Sequence, residues 1–101
     1  MKAEQGDILK VERITQPALV VSNNLFNEEG MAIICPIQEG AVEGPLHLRI
    51  EHPKIKGLAL CEQLMLVDLR ARRFSKLGEV SHYDILNTAD AVMSIFDYQN
   101  I

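Results

Sequence analysis

The sequence has no apolar run that approaches the roughly 18 residues a membrane-spanning helix needs. Residues 1–7 are polar and lack an apolar signal core, so we expect no export and a cytoplasmic protein. Cysteine is scarce: Cys35 and Cys61 stand alone, outside any C-x-x-C motif and with no histidine beside them. A zinc site needs more clustered ligands, so we expect two buried free thiols, no metal and no cofactor.

Basic residues are missing from a long central stretch. Between Arg13 and Arg49 there is no lysine or arginine, whereas four glutamates lie there, and the net charge of the chain is −4. A nucleic-acid-binding protein usually presents a basic face. Any phosphate contacts would therefore come from basic residues elsewhere. These are Arg49, Lys54, Lys56 and the cluster Arg70, Arg72, Arg73 and Lys76.

The length of 101 residues indicates a single domain, residues 1–101, which can bury about two thirds of its unfolded surface. Short apolar or alternating runs separated by turn residues predict an all-β barrel or curled sheet. The predicted strands cover residues 7–14, 18–22, 31–37, 46–51, 58–61 and 64–69. Pro36 interrupts the third of these runs, which favours an edge strand or a bulge there.

The end of the chain changes to a helical period. Ser81 can cap a helix, with Asp84 three residues later, and apolar residues then recur at helical spacing up to Phe96. This pattern predicts an amphipathic helix over residues 82–97, packed against the sheet. The expected fold class is mainly β, or α+β by content.

Five segments, in this order, resemble the MazF/PemK toxin family, whose members cleave single-stranded RNA. They are residues 6–8 (GDI), 17–27 (PALVVSNNLFN), 34–37 (ICPI), 57–68 (GLALCEQLMLVD) and 76–78 (KLG). The resemblance implies a small SH3-like β-barrel with a C-terminal α-helix, a homodimer, and an antitoxin-like peptide as partner. It also implies a metal-independent reaction, because the RNA supplies its own nucleophile.

The positions that carry catalysis in that family differ in this chain. Gln16 stands where the family has an arginine, and Gln38 where it has a threonine. Met65 and Leu66 replace an arginine–threonine pair, and the polar loop between the first two strands is almost deleted. Glutamine donates hydrogen bonds but carries no charge. The resemblance therefore implies an endoribonuclease fold whose RNA cleavage is reduced or lost.

Two other sets of residues are candidates for binding. Arg13 could enter the groove in place of the missing arginine, or it could be a solvated strand charge. Glu62 and Gln63 stand at an acid–amide pair of the family, where they would either position RNA or close a strand corner.

Further candidates for a binding surface are Met65 and Leu66, of which alternation predicts one to be buried. His47 could act as an acid or base near neutral pH, or it could be a surface residue on an alternating strand. The cluster Arg70, Arg72, Arg73 and Lys76 could bind phosphate or an acidic partner, or it could simply be solvated.

Three interpretations follow. The first is a MazF/PemK-like protein with little or no ribonuclease activity and at most weak RNA binding. Its remaining role would be protein binding, to itself as a homodimer and to an antitoxin-like peptide. The second is an active endoribonuclease that uses Arg13 and the basic cluster of residues 70–76. The third is a barrel adaptor unrelated to toxin–antitoxin systems.

Overall fold

Short apolar runs form the strands, and the polar segments between them form the turns. Most of these segments contain glycine, proline or asparagine. The structure, a computed structural model, describes residues 2–97. Within that range there are seven strands and two helices. The strands are β1 (Asp7–Val11), β2 (Ala18–Val20), β3 (Met31–Gln38), β4 (His47–Arg49), β5 (Leu58–Leu60), β6 (Met65–Asp68) and β7 (Phe74–Glu79). The helices are α1 (Asn24–Asn27) and α2 (His82–Ile95).

The strands pair in the order β4-β5-β3-β2-β1-β7, and β6 pairs with β3 as well. Each of these pairings is antiparallel. The predicted class, a mainly β fold of the SH3-like type with a C-terminal helix, is confirmed. The strands form a curled sheet rather than a closed barrel, because no pairing within residues 2–97 joins β4 to β7.

Pro36 lies in the middle of the sheet, at the point where β3 changes partners. β3 pairs with β6 up to Ile34 and with β5 from Ile37 onwards. The Ile37 N–H donates to the Pro17 carbonyl on the β2 side at 2.9 Å, so by alternation the nitrogen of Pro36 faces the gap between β6 and β5. No ladder hydrogen bond is lost there. The prediction of an edge strand or bulge at Pro36 is therefore wrong, and β3 is central.

The first three strands bury both of their faces. One face joins β6 and β7 in what we call the strand-lined core. Its buried members are Ala3, Leu9, Val11, Ala18, Val20, Ala32, Ile34, Val67 and Leu69. The other face forms the helix-covered core, against which Ile85 and Val92 of α2 pack. Its buried members are Ile8, Leu19, Val21, Cys35, Ile37, Ile50, Ala59, Cys61 and Val80.

Helix α2 begins at the predicted residue and ends at Ile95 rather than Asp97. The Ser81 hydroxyl accepts the N–H of Asp84 at 3.1 Å, which satisfies one of the free donors of the first turn. The carboxylate of Asp84 is buried and accepts the N–H of Glu51 at 2.9 Å. This bond fixes the start of the helix to the chain that follows β4.

Two elements are not evident from the sequence. The sequence predicts only a turn after residue 22, whereas the structure forms α1 there, with the Asn23 side chain accepting the N–H of Phe26 at 2.9 Å. Strand β7 lies at the end of the sheet and is mostly exposed, so it lacks a continuous apolar pattern.

Candidate functional site

Gln16 and Gln38 lie opposite each other at the adjacent ends of β2 and β3. The alignment of these strands continues past their last assigned pair, because the Ile37 N–H donates to the Pro17 carbonyl. The next pair in the same alignment is Gln16 with Gln38. Gln16 is half-buried and Gln38 is exposed. The fold thus brings together the two positions at which the resemblance implies catalytic groups.

Apolar residues flank this glutamine pair within the sheet. The β1–β2 alignment puts Val11 next to Gln16, and Gln38 pairs with Leu58 of β5. Leu58 pairs on its other side with Arg49 of β4. Arg49 is therefore two strands from Gln38, so their backbones are about 9–10 Å apart at ordinary strand spacing. The guanidinium of Arg49 already forms an ion pair with a glutamate of the preceding loop. Among the described residues that pair across the sheet at this level, Gln16 and Gln38 supply amide groups, and neither has a cation on the neighbouring strand.

The backbone of Gln38 is packed tightly against Gly57. Gly57 has φ +140°, and a Cβ atom there would lie 2.8 Å from both the carbonyl carbon and the carbonyl oxygen of Gln38. Only glycine permits this approach. The position of Gln38 therefore depends on the absence of a side chain at residue 57.

A cleft of about 890 Å³ opens beside Leu58 and Gly57. Its acidic and basic lining residues are Glu39, Glu43, Glu51, Arg49 and Lys56, and His52 also lines it. Three carboxylates against two permanent cations leave no excess of positive charge. The cleft next to the glutamine pair is therefore a poor site for a phosphate.

Two members of the basic cluster of residues 70–76 are already paired with carboxylates. Arg70 holds Asp68 in a fork, with Nε and Nη2 at 3.0 and 3.1 Å from the two carboxylate oxygens, and this contact lowers the pKa of Asp68. Lys76 lies 3.2 Å from the buried Asp7 and 3.3 Å from Glu79. These carboxylates raise the pKa of Lys76, that of Asp7 most. Neither cation is free for a ligand.

The other cations of this region gather on the β1–β7 side. Arg13 occupies the tight turn after β1 with φ 69°, a left-handed conformation. With Lys10 and Arg73 it lines a cleft of about 290 Å³. Arg72 and Arg73 have no carboxylate within ion-pair distance among residues 2–97. The structure therefore separates the predicted cluster and joins part of it to Arg13.

His47 and Glu62 form a pair that the sequence does not connect. The Nε2 atom of His47 lies 2.5 Å from a carboxylate oxygen of Glu62, and Nδ1 lies 2.7 Å from the carbonyl of Val42. Glu62 and the Val42 carbonyl raise the pKa of His47, and His47 lowers the pKa of Glu62. The pair could have been predicted from the alignment of β4 with β5. This alignment places His47 opposite Leu60, two residues before Glu62.

The contacts of His47 favour its protonated form. Both of its neighbours are acceptors, since a carboxylate and a carbonyl have no proton to give. Both contacts are satisfied at once only when both ring nitrogens carry a proton, which agrees with the raised pKa of His47. The carboxylate of Glu62 balances the charge of that form.

The three other candidates from the sequence lie around the start of β6. Gln63 is exposed, and its N–H donates to the Leu60 carbonyl at 3.0 Å. Met65 and Leu66 are 48% and 57% exposed. The prediction that one of them is buried is wrong, because β6 is covered on neither face at its beginning.

Two further properties bear on function. Among residues 2–97, no three histidine, cysteine, aspartate or glutamate side chains lie close enough together to hold a metal ion. No helix in the same range is both long and apolar enough to cross a membrane.

Comparison with known proteins gives consistent matches. Residues 4–96 match the family model for the PemK-like, MazF-like toxin of type II toxin–antitoxin systems. The chain is 32% identical to the endoribonuclease toxin ChpB of Escherichia coli (strain K12), over 74% of this chain and 78% of that protein.

Solved structures share the fold at lower identity. A crystal structure of MazE-MazF (form I) from Deinococcus radiodurans superposes with a TM-score of 0.86 at 21% identity, covering 95% of this chain and 97% of that one. An endoribonuclease in complex with its cognate antitoxin, from a mycobacterial species, superposes with a TM-score of 0.75 at 16% identity, covering 93% and 94%.

Proposed function

Because the chain belongs to the family of PemK-like, MazF-like toxins of type II toxin–antitoxin systems, we propose that it is a dimeric, partner-binding member in which cleavage of single-stranded RNA is reduced or lost. Its place of action would be the cytoplasm. The observation that carries the proposal is the hydrogen bond from Ile37 to Pro17, which extends the β2–β3 alignment towards Gln16 and Gln38, the positions where the resemblance implies a catalytic arginine and threonine.

The chemistry of RNA cleavage explains why this pair is a poor catalyst. When a 2′-oxygen attacks the adjacent phosphate, negative charge builds up on the phosphoryl oxygens. A guanidinium matches those oxygens with a planar, charged fork, whereas an amide offers only neutral donors. Losing one such electrostatic contact costs roughly 100- to 1000-fold in rate. Losing several groups that act as a unit removes most of the catalysis.

The surrounding charges support the same conclusion. Apart from His47, which Glu62 balances, the charged side chains from Ile14 to Leu48 are all acidic. The adjacent 890 Å³ cleft has no positive excess, and Arg49 is engaged by Glu43. Each of these features opposes the approach of a polyanion.

The direct test is cleavage of a single-stranded RNA by the purified protein and by the double variant Gln16→Arg/Gln38→Thr. The wild-type protein should leave the RNA largely intact. The double variant should cleave at least about tenfold faster, because it restores charge and a hydroxyl at facing positions.

The matched control is Leu25→Arg, which adds the same charge on the exposed side of α1, at the opposite end of β2 and β3. It should not raise the rate. Rapid cleavage by the wild-type protein, or equal gains from the control and the double variant, would contradict the proposal.

A second candidate function is favoured by one observation. Arg13, Arg73 and Lys10 share a cleft, which could hold the phosphate of an RNA in an active endoribonuclease. In that case the wild-type protein cleaves RNA and Arg13→Ala abolishes the cleavage. Arg70→Ala is the control, because Asp68 already neutralises Arg70.

Apolar side chains on the outer face of α2 support a partner-binding role. They are Tyr83, Leu86 and Met93, which are 71%, 51% and 67% exposed. Their spacing puts them on one side of the helix, away from Ile85 and Val92, which cover the core. Exposed apolar stripes of this kind mark interaction sites. We assign this stripe to a second copy of the chain, with an antitoxin-like peptide as the further partner.

Sedimentation equilibrium should give about twice the chain mass of 11.3 kDa at micromolar concentration. Met93→Lys should shift the equilibrium to the monomer, whereas Leu25→Lys, which changes an exposed apolar residue of α1, should have little effect. A wild-type monomer would contradict the dimer without affecting the proposal on catalysis.

A further inference from the structure

The two cysteines lie opposite each other on neighbouring strands. Cys35 is in β3, and Cys61 follows the last residue of β5. β3 and β5 pair at Ile37 and Ala59, so the next same-face position of each strand is Cys35 and Cys61. Both thiols are fully buried in the helix-covered core.

The backbone around the two cysteines defines the type of cross-strand pair. The Cys61 N–H donates to the Leu46 carbonyl at 2.8 Å, towards β4. The Ile37 N–H turns towards β2, and by alternation so does that of Cys35. Neither cysteine therefore bonds to the other through its backbone. In such a non-hydrogen-bonded pair the Cα atoms are roughly 4.5 Å apart, at the short end of the range that a disulfide spans.

Both side chains belong to the same core, on neighbouring strands, and Cys61 Sγ lies 3.6 Å from the Ala59 carbonyl. The contact with Cys61 and burial raise the pKa of the Cys35 thiol, whereas the hydrogen bond from Cys35 lowers the pKa of Cys61. Of the two, Cys61 is thus the sulfur that loses its proton more readily and the better nucleophile.

We propose that Cys35 and Cys61 are a site of covalent modification, at which a hydroperoxide converts the two thiols into an intramolecular disulfide that joins β3 to β5. The thiolate of Cys61 attacks one oxygen of hydrogen peroxide and becomes a sulfenic acid, while the O–O bond breaks and the other oxygen leaves as hydroxide, which takes up the proton lost by the thiol to form the first water. The sulfur of Cys35 then attacks the sulfur of that sulfenic acid and expels water. In total, two thiols and one hydrogen peroxide give one disulfide and two waters.

Access to the buried pair is provided by the end of β5. Cys61 is followed at once by the exposed residues Glu62 and Gln63, whereas Cys35 has β-strand on both sides. A local opening of this turn reaches Cys61 before Cys35. This order agrees with the roles given to the two sulfurs.

The disulfide would restrict the strands around the glutamine pair. It closes the loop of residues 35–61, which includes Gln38, the charged cleft and the β4–β5 hairpin. Closing a loop of this length stabilises the folded state by limiting the unfolded chain. The oxidised protein should therefore melt roughly 10–20 °C above the reduced protein.

The test treats the reduced full-length chain with hydrogen peroxide under native conditions and then blocks the remaining thiols. The intact mass should fall by about 2 Da, with no thiol left to block. Trypsin should release peptides 14–49 and 57–70 joined together, since no lysine or arginine lies between residues 13 and 49 and each peptide holds one cysteine. Dithiothreitol should separate them and reverse the rise in melting temperature.

Cys35→Ala and Cys61→Ala are the controls, and neither should show the rise. The peptide map of the wild-type protein decides the question even if a variant fails to fold. Two free thiols, further oxidation to sulfinic acid, or a disulfide between two chains as the main product would each overturn the proposal.

Discussion

His47 and Glu62 form an ion pair across the end of the β4–β5 hairpin, with Nε2 of His47 2.5 Å from the carboxylate. The second ring nitrogen contacts the Val42 carbonyl, so the imidazole is fixed at both ends. A single charged pair thus links β4, the loop before it and the turn after β5. This turn also carries Gln63 and leads into the exposed Met65.

The first prediction concerns the protonation of His47. Glu62 and the Val42 carbonyl raise its pKa above the ordinary 6.5. In a proton NMR titration the ring signals of His47 should shift with a midpoint above that value. Glu62→Gln should bring the midpoint down, and Glu43→Gln, which removes a carboxylate paired with Arg49 instead, should not. A midpoint unaffected by Glu62→Gln would contradict the assignment.

The second prediction follows from the signs of the two shifts. The stability that His47 contributes to the folded state is fully present below the pKa of His47 in the unfolded chain. It is lost as the pH rises through the higher pKa of His47 in the folded protein. The contribution of Glu62, whose pKa is lowered from 4.5, is lost as the pH falls through its folded value. The melting temperatures of wild type and Glu62→Gln should therefore differ most between about pH 4.5 and 6.5. A difference that does not change from pH 3 to pH 9 would contradict this.

The third prediction concerns Lys76 and the buried Asp7. Lys76 lies 3.2 Å from the Asp7 carboxylate, which is buried and also accepts the Glu4 N–H at 2.9 Å. Lys76→Met leaves that buried carboxylate without its cation and should lower the free energy of unfolding, by more than the loss of an exposed partner of Lys76 does. Urea unfolding measures this change.

Glu79→Gln is the control for the third prediction, since it removes the other, exposed partner of Lys76. It should change the free energy of unfolding by less than about 0.5 kcal/mol. Equal effects of the two variants would show that burial of Asp7 does not govern the cost.

The fourth prediction compares two glycines with positive φ. Gly40→Ala meets no atom within 4 Å, so it should cost about 1–2 kcal/mol for the left-handed backbone alone. Gly57→Ala adds a clash 2.8 Å from the backbone of Gln38 and should cost about 1–3 kcal/mol more. Equal costs in thermal unfolding would mean that the contact between Gly57 and Gln38 relaxes freely.

The fifth prediction concerns the start of α2. Ser81→Ala removes the acceptor of the Asp84 N–H and should cost about 1 kcal/mol in the free energy of unfolding. Ser81→Asp keeps an acceptor at the same place and should cost little. If Ser81→Asp lowered the free energy of unfolding as much as Ser81→Ala, Ser81 would not act by capping the helix.

Much of the fold could be predicted because local signals agreed with the tertiary structure. The apolar run at Ala18–Val20, the run at Leu58–Leu60 and the capped period after Ser81 all became the expected elements. The family segments also located Gln16 and Gln38, although only the alignment of β2 with β3 shows that they face each other.

The remaining features depend on contacts between distant residues, which no local pattern encodes. The ion pair of His47 with Glu62 and that of Lys76 with Asp7 arise only when separate strands are brought together. Strand β7 was not predicted because, within residues 2–97, it pairs with β1 alone and exposes most of its side chains. Met65 and Leu66 both stay exposed because no described residue covers them fully.

The burial of both faces of β1, β2 and β3 affects how the chain encodes its strand alignment. In a sheet with one wet face, a slip of one residue turns every apolar side chain towards water, so polarity alone forbids the slip. In this protein the same slip would exchange members of one core for members of the other. The information must then come from geometry at particular residues, such as the left-handed Arg13 and the donor-free Pro36. Residues that add little buried area therefore specify which strand positions meet.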